Sequence, residues 1–295
     1  MTPSIDRSSP TAHEGEHHPV GLEFVRFVPL ERGIHATMVV SFLSLALTGM
    51  TLKFSYTPWA RAISHLLGGF ETAGNIHRFA ALVMFSIFVT HLVSLRNLKN
   101  REYGGSWLAL VLGPNSMVPM LKDGKEFVAT IKWFLGKGQR PQYGRWTYWE
   151  KFDYFAVFWG IFIIGSTGLT LWFPILFTRI LPGWFINLAT IIHSDEALLA
   201  TGFIFTVHFF NTHLRPEKFP MDVVVFTGQM PLAELKRDKP LEYELLHSKG
   251  EIKRHLAEAH PEIVVKAIRV FAWVALSIGF SIVVGIIYAM IFAYR

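Results

Sequence analysis

The sequence predicts an all-α integral membrane protein: a four-helix bundle of two repeated helix pairs, followed by a fifth, C-terminal transmembrane helix. Hydrophobic residues fill 51% of the 295 positions and aromatic residues 15%, with a positive mean hydropathy, so apolar surface dominates the chain. The apolar residues gather in five long segments. Two of those segments carry a pair of histidines at nearly matching spacing, His77/His91 and His193/His208.

Along the chain, residues 1–30 are polar, with His13, His17 and His18 clustered and no basic region leading directly into an apolar run. They are expected to form a cytoplasmic N-terminal tail with the option of a metal site, and not a cleaved signal peptide. Apolar spans follow at Ile34–Phe54, Ile76–Leu95, Phe152–Phe173, Leu188–Phe210 and Val264–Ala293. Pro58 and Pro174 stand just beyond the first and third, where helices stop. Between the second and third spans, Met117, Met120, Leu121, Phe127, Val128, Ile131, Phe134 and Leu135 recur at three- and four-residue intervals among Lys122, Lys125 and Lys132. That pattern predicts a helix near 116–135 lying in the membrane interface. Residues 31–230 thus read as the bundle domain, 231–262 as a charged cytoplasmic segment suited to docking a partner, and 263–295 as the fifth transmembrane helix.

The first four spans read as two copies of one helix pair. Glu31-Arg32-Gly33-Ile34-His35 matches Glu150-Lys151-Phe152-Asp153-Tyr154, and Thr48-Gly49-Met50-Thr51-Leu52 matches Thr167-Gly168-Leu169-Thr170-Leu171 at the same offset. Ile76-His77 matches Ile192-His193, and His91 lies close to the equivalent of His208. A parallel repeat about an axis along the membrane normal follows, and it sets His77 opposite His193.

Charge gives the orientation. Of 28 Lys and Arg, ten lie from Arg96 to Lys151 and ten from Arg215 to Arg269, while the other two inter-helix loops hold little beyond Arg61 and Arg179. The positive-inside rule therefore puts both long loops in the cytoplasm, with the N-terminus inside and the C-terminus outside the inner (cytoplasmic) membrane. This distribution, and not nucleic-acid binding, accounts for the formal charge of +6. The absence of cysteine excludes disulfides, thiolate-bound iron–sulfur clusters and covalently attached c-type haem. Gly136 and Gly138 lack the third glycine of a nucleotide fingerprint, so nicotinamide or flavin chemistry would reside on a partner.

An imidazole in a membrane helix is costly to leave unpartnered. Fourteen residues of helix span about 21 Å of a roughly 30 Å hydrocarbon core, and a step of fourteen or fifteen returns to nearly the same helix face. Four histidines so arranged read as axial ligands of two b haems, one near each membrane face. Topology sorts His77 and His193 to the outer side, and His91 and His208 to the inner side together with His35 and His213. The inner haem is expected to use His208 with either His35 or His91, and a third haem using His213 would accommodate every histidine. Arg78 is a candidate partner for a haem propionate, or for a salt bridge with Asp195 or Glu196. His213, Arg215, Glu217, Lys218 and Asp222, with Lys151 and Asp153, could bind a quinone head group and move its protons.

The run Glu31-Arg32-Gly33-Ile34-His35 with Leu47-Thr48-Gly49, then Gly74-Asn75-Ile76-His77, Thr167-Gly168-Leu169, Leu171-Trp172, Ile192-His193 and His208 resembles the dihaem cytochrome b subunits of membrane formate dehydrogenases and nickel-iron hydrogenases. The resemblance covers about residues 26–230. It implies two haems b passing electrons between the quinone pool and a partner subunit, with the inner haem on His35 and His208 and the outer on His77 and His193. The sequence departs from that pattern in its fifteen-residue spacing in the fourth helix, in carrying His91, and in its fifth helix. His91 opposite His208 would instead copy the arrangement of bc-type cytochrome b. An outer haem needs an electron partner, expected to be an extracytoplasmic multihaem cytochrome c or an iron–sulfur/molybdenum subunit.

A reading from a different class is a transporter or structural anchor whose intramembrane histidines relay protons or bind metal. It would require carboxylates facing those histidines at mid-membrane depth, and the spans hold few beyond Asp195 and Glu196 near one end.

Overall fold

A computed structural model describes residues 21–215, 218–219 and 221–293. Five of its helices are long and apolar enough to cross a membrane: Pro29–Lys53, Phe70–Glu102, Tyr148–Trp172, Trp184–Leu214 and Glu262–Ala293. The chain is thus a mainly helical, multi-pass membrane protein. Each span begins before the apolar segment does, and α1 and α6 open on a capping turn. Glu31 accepts the Val28 backbone N–H at 2.9 Å, and Glu150 accepts the Thr147 N–H at 2.7 Å, so both helices open on a glutamate that satisfies the otherwise orphaned donors there. The repeat seen in the sequence therefore extends to the caps.

In order, the elements are β1 (Leu22–Val25), α1 (Pro29–Lys53), α2 (Pro58–Leu66), α3 (Phe70–Glu102), α4 (Trp107–Leu112), α5 (Leu121–Phe134), α6 (Tyr148–Trp172), α7 (Pro174–Phe177), α8 (Trp184–Phe203), α9 (Val224–Thr227), β2 (Gln229–Met230), α10 (Leu232–Asp238), α11 (Pro240–Ser248), β3 (Leu256–Glu258) and α12 (Glu262–Tyr288). Helix α8 continues as two π turns, Ile204–His208 and Phe210–Leu214, and α12 as a third, Ala289–Ala293. The main packed pairs are α1 with α3 and α6 with α8; α1 also touches α8 and α12. Connections 54–69 and 173–183 lie at one end of the bundle, the short-loop end. The segments 103–147 and 215–261 lie at the other, the long-loop end.

The fifth helix seats on the bundle through Phe205, which is buried against α12. A Cβ at Gly279 would lie 2.2 Å from the Phe205 ring, so only glycine leaves room for this ring. Ala46, Met50, Ile282 and Ile286 complete that core.

The sequence reading treats residues 1–30 as a tail, but Leu22–Val25 form the central strand of an antiparallel sheet ordered β2-β1-β3. Residues 1–20, with His13, His17 and His18, lie outside the described residues. The charged segment 231–262 is also structured: α10 and α11 pack beside the sheet through Phe24, Met230, Leu232, Leu235 and Ile252. Its charges tie it to the bundle. Glu242 accepts Arg26 at 3.0 Å and Arg145 at 2.9 Å, Lys239 pairs with Glu150 at the α6 cap, and Lys218 pairs with Asp222, Glu234 and Asp238. Burial pulls the Lys239 ammonium down to about 8 against the opposing pull of Glu150. On α5, Phe127, Val128, Ile131 and Phe134 face outward, whereas Asp123 and Thr130 are buried, and Lys151 of α6 pairs with Asp123 at 3.0 Å.

Glu242→Ala removes the closer of the two carboxylates that Arg26, whose side chain is 4% exposed, pairs with, leaving Glu150 at 3.4 Å, and breaking a buried pair costs up to about 3–5 kcal/mol. Thermal unfolding of the detergent-purified protein is expected to show that loss. Glu102→Ala, which removes an exposed pair with Arg101, should change stability by less than about 1 kcal/mol.

Candidate functional site

At the short-loop end, His77 on α3 and His193 on α8 face each other, their ring centroids 6.1 Å apart and their planes at 78°. The two helix pairs hold them by the same device. The Thr48 hydroxyl donates to the Ser44 carbonyl at 2.6 Å, so its oxygen is left to accept the His77 Nδ1–H at 3.0 Å. The Thr167 hydroxyl donates to the Ile163 carbonyl at 2.7 Å, and the His193 Nδ1–H is shared between the Ile164 carbonyl at 2.9 Å and the Thr167 oxygen at 3.4 Å. The next residue in each helix is glycine, and this gives the ring its space. A Cβ at Gly49 would lie 3.2 Å from His77 Cε1, and one at Gly168 would lie 3.0 Å from His193 Cε1.

These bonds fix the tautomer. With Nδ1 carrying the proton, Nε2 keeps its lone pair, the arrangement typical of a metal-ligating histidine whose other nitrogen is held by an acceptor. Imidazole–metal bonds of about 2.0–2.1 Å on each side, with about 1 Å from each nitrogen to its ring centre, sum to about 6 Å between centroids across one metal ion. The observed 6.1 Å is close to that span, so the spacing of the two rings suits one metal ion held between them.

At the long-loop end, the His208 Nδ1–H donates to Asp153 Oδ2 at 2.9 Å, which likewise leaves Nε2 available. His35 lies near His208 and His213, close enough for the three rings to interact electrostatically. The buried Nδ1 atoms of His35 and His213, Asp153 Oδ1 and Arg215 Nε have no hydrogen-bond partner among the described residues. Buried polar atoms are seldom left so, and this set suits a polar or metal-bearing group held between α1, α6 and the end of α8. The π turns supply the geometry. A π turn closes i→i+5 and takes up one residue more than an α turn; the one beginning at Ile204 falls between His193 and His208, where the sequence spacing is fifteen and not fourteen. It also brings His208 and His213, five apart, onto neighbouring positions.

His91 is elsewhere. Its Nε2 bonds the Tyr154 hydroxyl at 2.8 Å, with Phe158 edge-on at 6.0 Å, so it faces α6 and not His208. Because Tyr154 is the repeat equivalent of His35, the His91–Tyr154 pair is the symmetry counterpart of His208 with His35. Arg78 is also corrected in part: it bonds Asn75 Oδ1 at 3.0 Å, whereas Asp195 pairs with Lys53 at 2.9 Å and not with Arg78. Arg215 lies over Trp149 at 5.0 Å. Glu217 lies outside the described residues. Asp153 as the anchor of His208 was not legible from spacing alone; the one signal was a carboxylate one turn into an apolar span.

No protein-family model matches the sequence, and no curated protein matches it. The site must therefore be read from its own chemistry. Among the described residues no three or more His, Asp or Glu converge as a chelating metal site would require; at the short-loop end two imidazoles face each other.

Gly168→Ala presses a methyl against the His193 ring, and Gly49→Ala does the same to His77. Each is expected to lower stability by about 1–3 kcal/mol in thermal unfolding, as overpacking does. Gly33→Ala on the same helix as Gly49 meets nothing within 4 Å and should be neutral or stabilising by up to about 1 kcal/mol.

Proposed function

We propose that this chain is the membrane cytochrome b subunit of a respiratory oxidoreductase complex, carrying electrons across the membrane between the quinone pool and an extracytoplasmic redox partner through two b haems. The facing His77 and His193, each fixed by a threonine and admitted by a glycine, carry the reading. In this reading they hold one haem on the outer side, and His208 with His35 holds the other on the inner side. His91 is left out because its Nε2 is already bonded to Tyr154. His213 and Arg215 then serve the inner site as donors to a quinone head group, and Arg78 is available to an outer propionate.

Bound haem would supply one-electron transfer at a potential set by its ligands and their surroundings. The chain's own residues do the rest. Thr48, Thr167 and the Ile164 carbonyl keep the outer rings oriented. Asp153 orients His208 and raises its basicity as a ligand, which favours the oxidised, more positive iron. Fifteen residues of helix between His193 and His208 separate the two pairs by about 20 Å. The positive-inside distribution supports a cytoplasmic long-loop end, and the outward apolar face of α5 suits the interface there.

A second reading is favoured by one observation. Asp153 facing His208 at 2.9 Å is the acid–imidazole pairing that a proton-relaying transporter needs, although it sits near one end of its helix and not at mid-depth.

Single alanine substitutions separate the readings by redox difference spectroscopy on purified protein. His77→Ala and His193→Ala are expected to abolish the same haem signal, and His35→Ala and His208→Ala the other, while His91→Ala keeps both. A wild-type chain with no haem absorbance would hand the site to the proton relay; loss of a haem in His91→Ala would reverse the inner assignment.

A further inference from the structure

Of the buried side-chain N and O atoms without a partner among the described residues, all but Trp59 Nε1 belong to the long-loop end. Several of them lie on elements that meet the bundle. Asp123 Oδ1 and Glu126 Oε2 belong to α5, Arg215 Nε to the segment that follows the last π turn, and His213 Nδ1 and His35 Nδ1 to the bundle helices. The gaps between them are filled by groups in electrostatic contact. Tyr148 interacts with both Glu126 and Arg215, and Arg215 stacks on Trp149 two residues from His213. His213 in turn neighbours His208 and His35. Orphaned buried donors and acceptors are the places where ordered water bridges polar groups, and a chain of such waters conducts protons. Its outer end is a half-buried carboxyl. Burial pushes Glu126 up from the usual carboxylate range, against the opposing pull of Lys122, Lys151 and Lys239 and with the help of Asp123; Tyr143 and Tyr148 complete its surroundings. A carboxyl moved toward neutral pH can both give and take a proton.

We propose that Glu126 is the cytoplasmic proton intake for quinone chemistry at the inner site, passing protons by way of Tyr148 and water held by the Arg215 guanidinium to His213. The inference rests on the quinone reading above. Reduction of one quinone to quinol consumes two electrons, delivered one at a time through the haem chain, and forms two O–H bonds; both protons come from the Glu126 carboxyl, which is reprotonated from cytoplasmic water after each transfer. Oxidation of a quinol runs the same path outward. Helix α5, packed on α6 with its apolar face outward, thereby brings an acid beside the start of α6. Glu126 touches no reacting atom and acts through the groups behind it.

The test uses native membrane vesicles carrying the full chain with its partners. Reduction of the b haems by a short-chain quinol analogue is followed by stopped flow across pH, for wild type, Glu126→Gln, Glu126→Asp and Tyr148→Phe. Glu126→Gln is expected to slow haem reduction by about 100-fold and to flatten its pH profile, with haem content and spectrum unchanged. Glu126→Asp should keep most of the rate with a displaced profile. Tyr148→Phe should also slow the reaction, and it stands in if Glu126→Gln does not accumulate. In redox-induced infrared difference spectra, a protonated-carboxyl band present in wild type should be missing from Glu126→Gln. A Glu126→Gln or Tyr148→Phe protein with wild-type rate and pH profile overturns the proposal while leaving the quinone reading intact. Wild-type haems that neither accept electrons from the quinol nor return them to the quinone overturn both.

Discussion

An imidazole carried into an apolar helical bundle has to give its N–H to an acceptor, and that requirement organises this molecule. Two helix pairs solve it in the same way. A threonine whose own proton is committed to the preceding turn offers its oxygen to the ring, and the glycine after it lets the ring approach. Solving it this way has a consequence for chemistry, since the nitrogen that remains free is Nε2 on both rings and the two rings face each other. His208 meets the same requirement with a carboxylate, Asp153. The packing of α1 on α3 and α6 on α8 is therefore inseparable from the orientation of these imidazoles.

The long-loop end depends on a second constraint. Its charges are buried in pairs that cross between distant segments: Arg26 and Arg145 on Glu242, Lys239 on Glu150, Lys151 on Asp123. Removing one member would leave an uncompensated charge, so these pairs fix how the sheet, α5, α10 and α11 sit on the bundle. Glu150 shows the economy of the arrangement, capping α6 while also neutralising Lys239. The Lys151–Asp123 pair thereby holds α5 against α6.

Much of this was legible in the sequence, and the reasons are physical. Hydropathy finds helix interiors, so all five spans were found, but it passes over capping turns such as 28–31 and 147–150, and their ends were drawn short. The internal repeat exposed the His77–His193 juxtaposition because Thr-Gly and Ile-His recur together in both halves. Short strands carry too little periodicity to register, and β1, β2 and β3 comprise only residues 22–25, 229–230 and 256–258. His208 sits at the end of a π turn, which shifts helix phase without any composition signal, and the tyrosine that holds His91 has no spacing signature; hence two inner alternatives stand open on spacing alone, and Asp153 reads as one charge among several.

Haem b per polypeptide, counted by pyridine haemochrome on the detergent-purified chain, tests the central claim most directly. Two haems are predicted, one for each histidine pair. A chain that folds and holds none would contradict the account at its root, because the facing imidazoles would then have to be explained without iron.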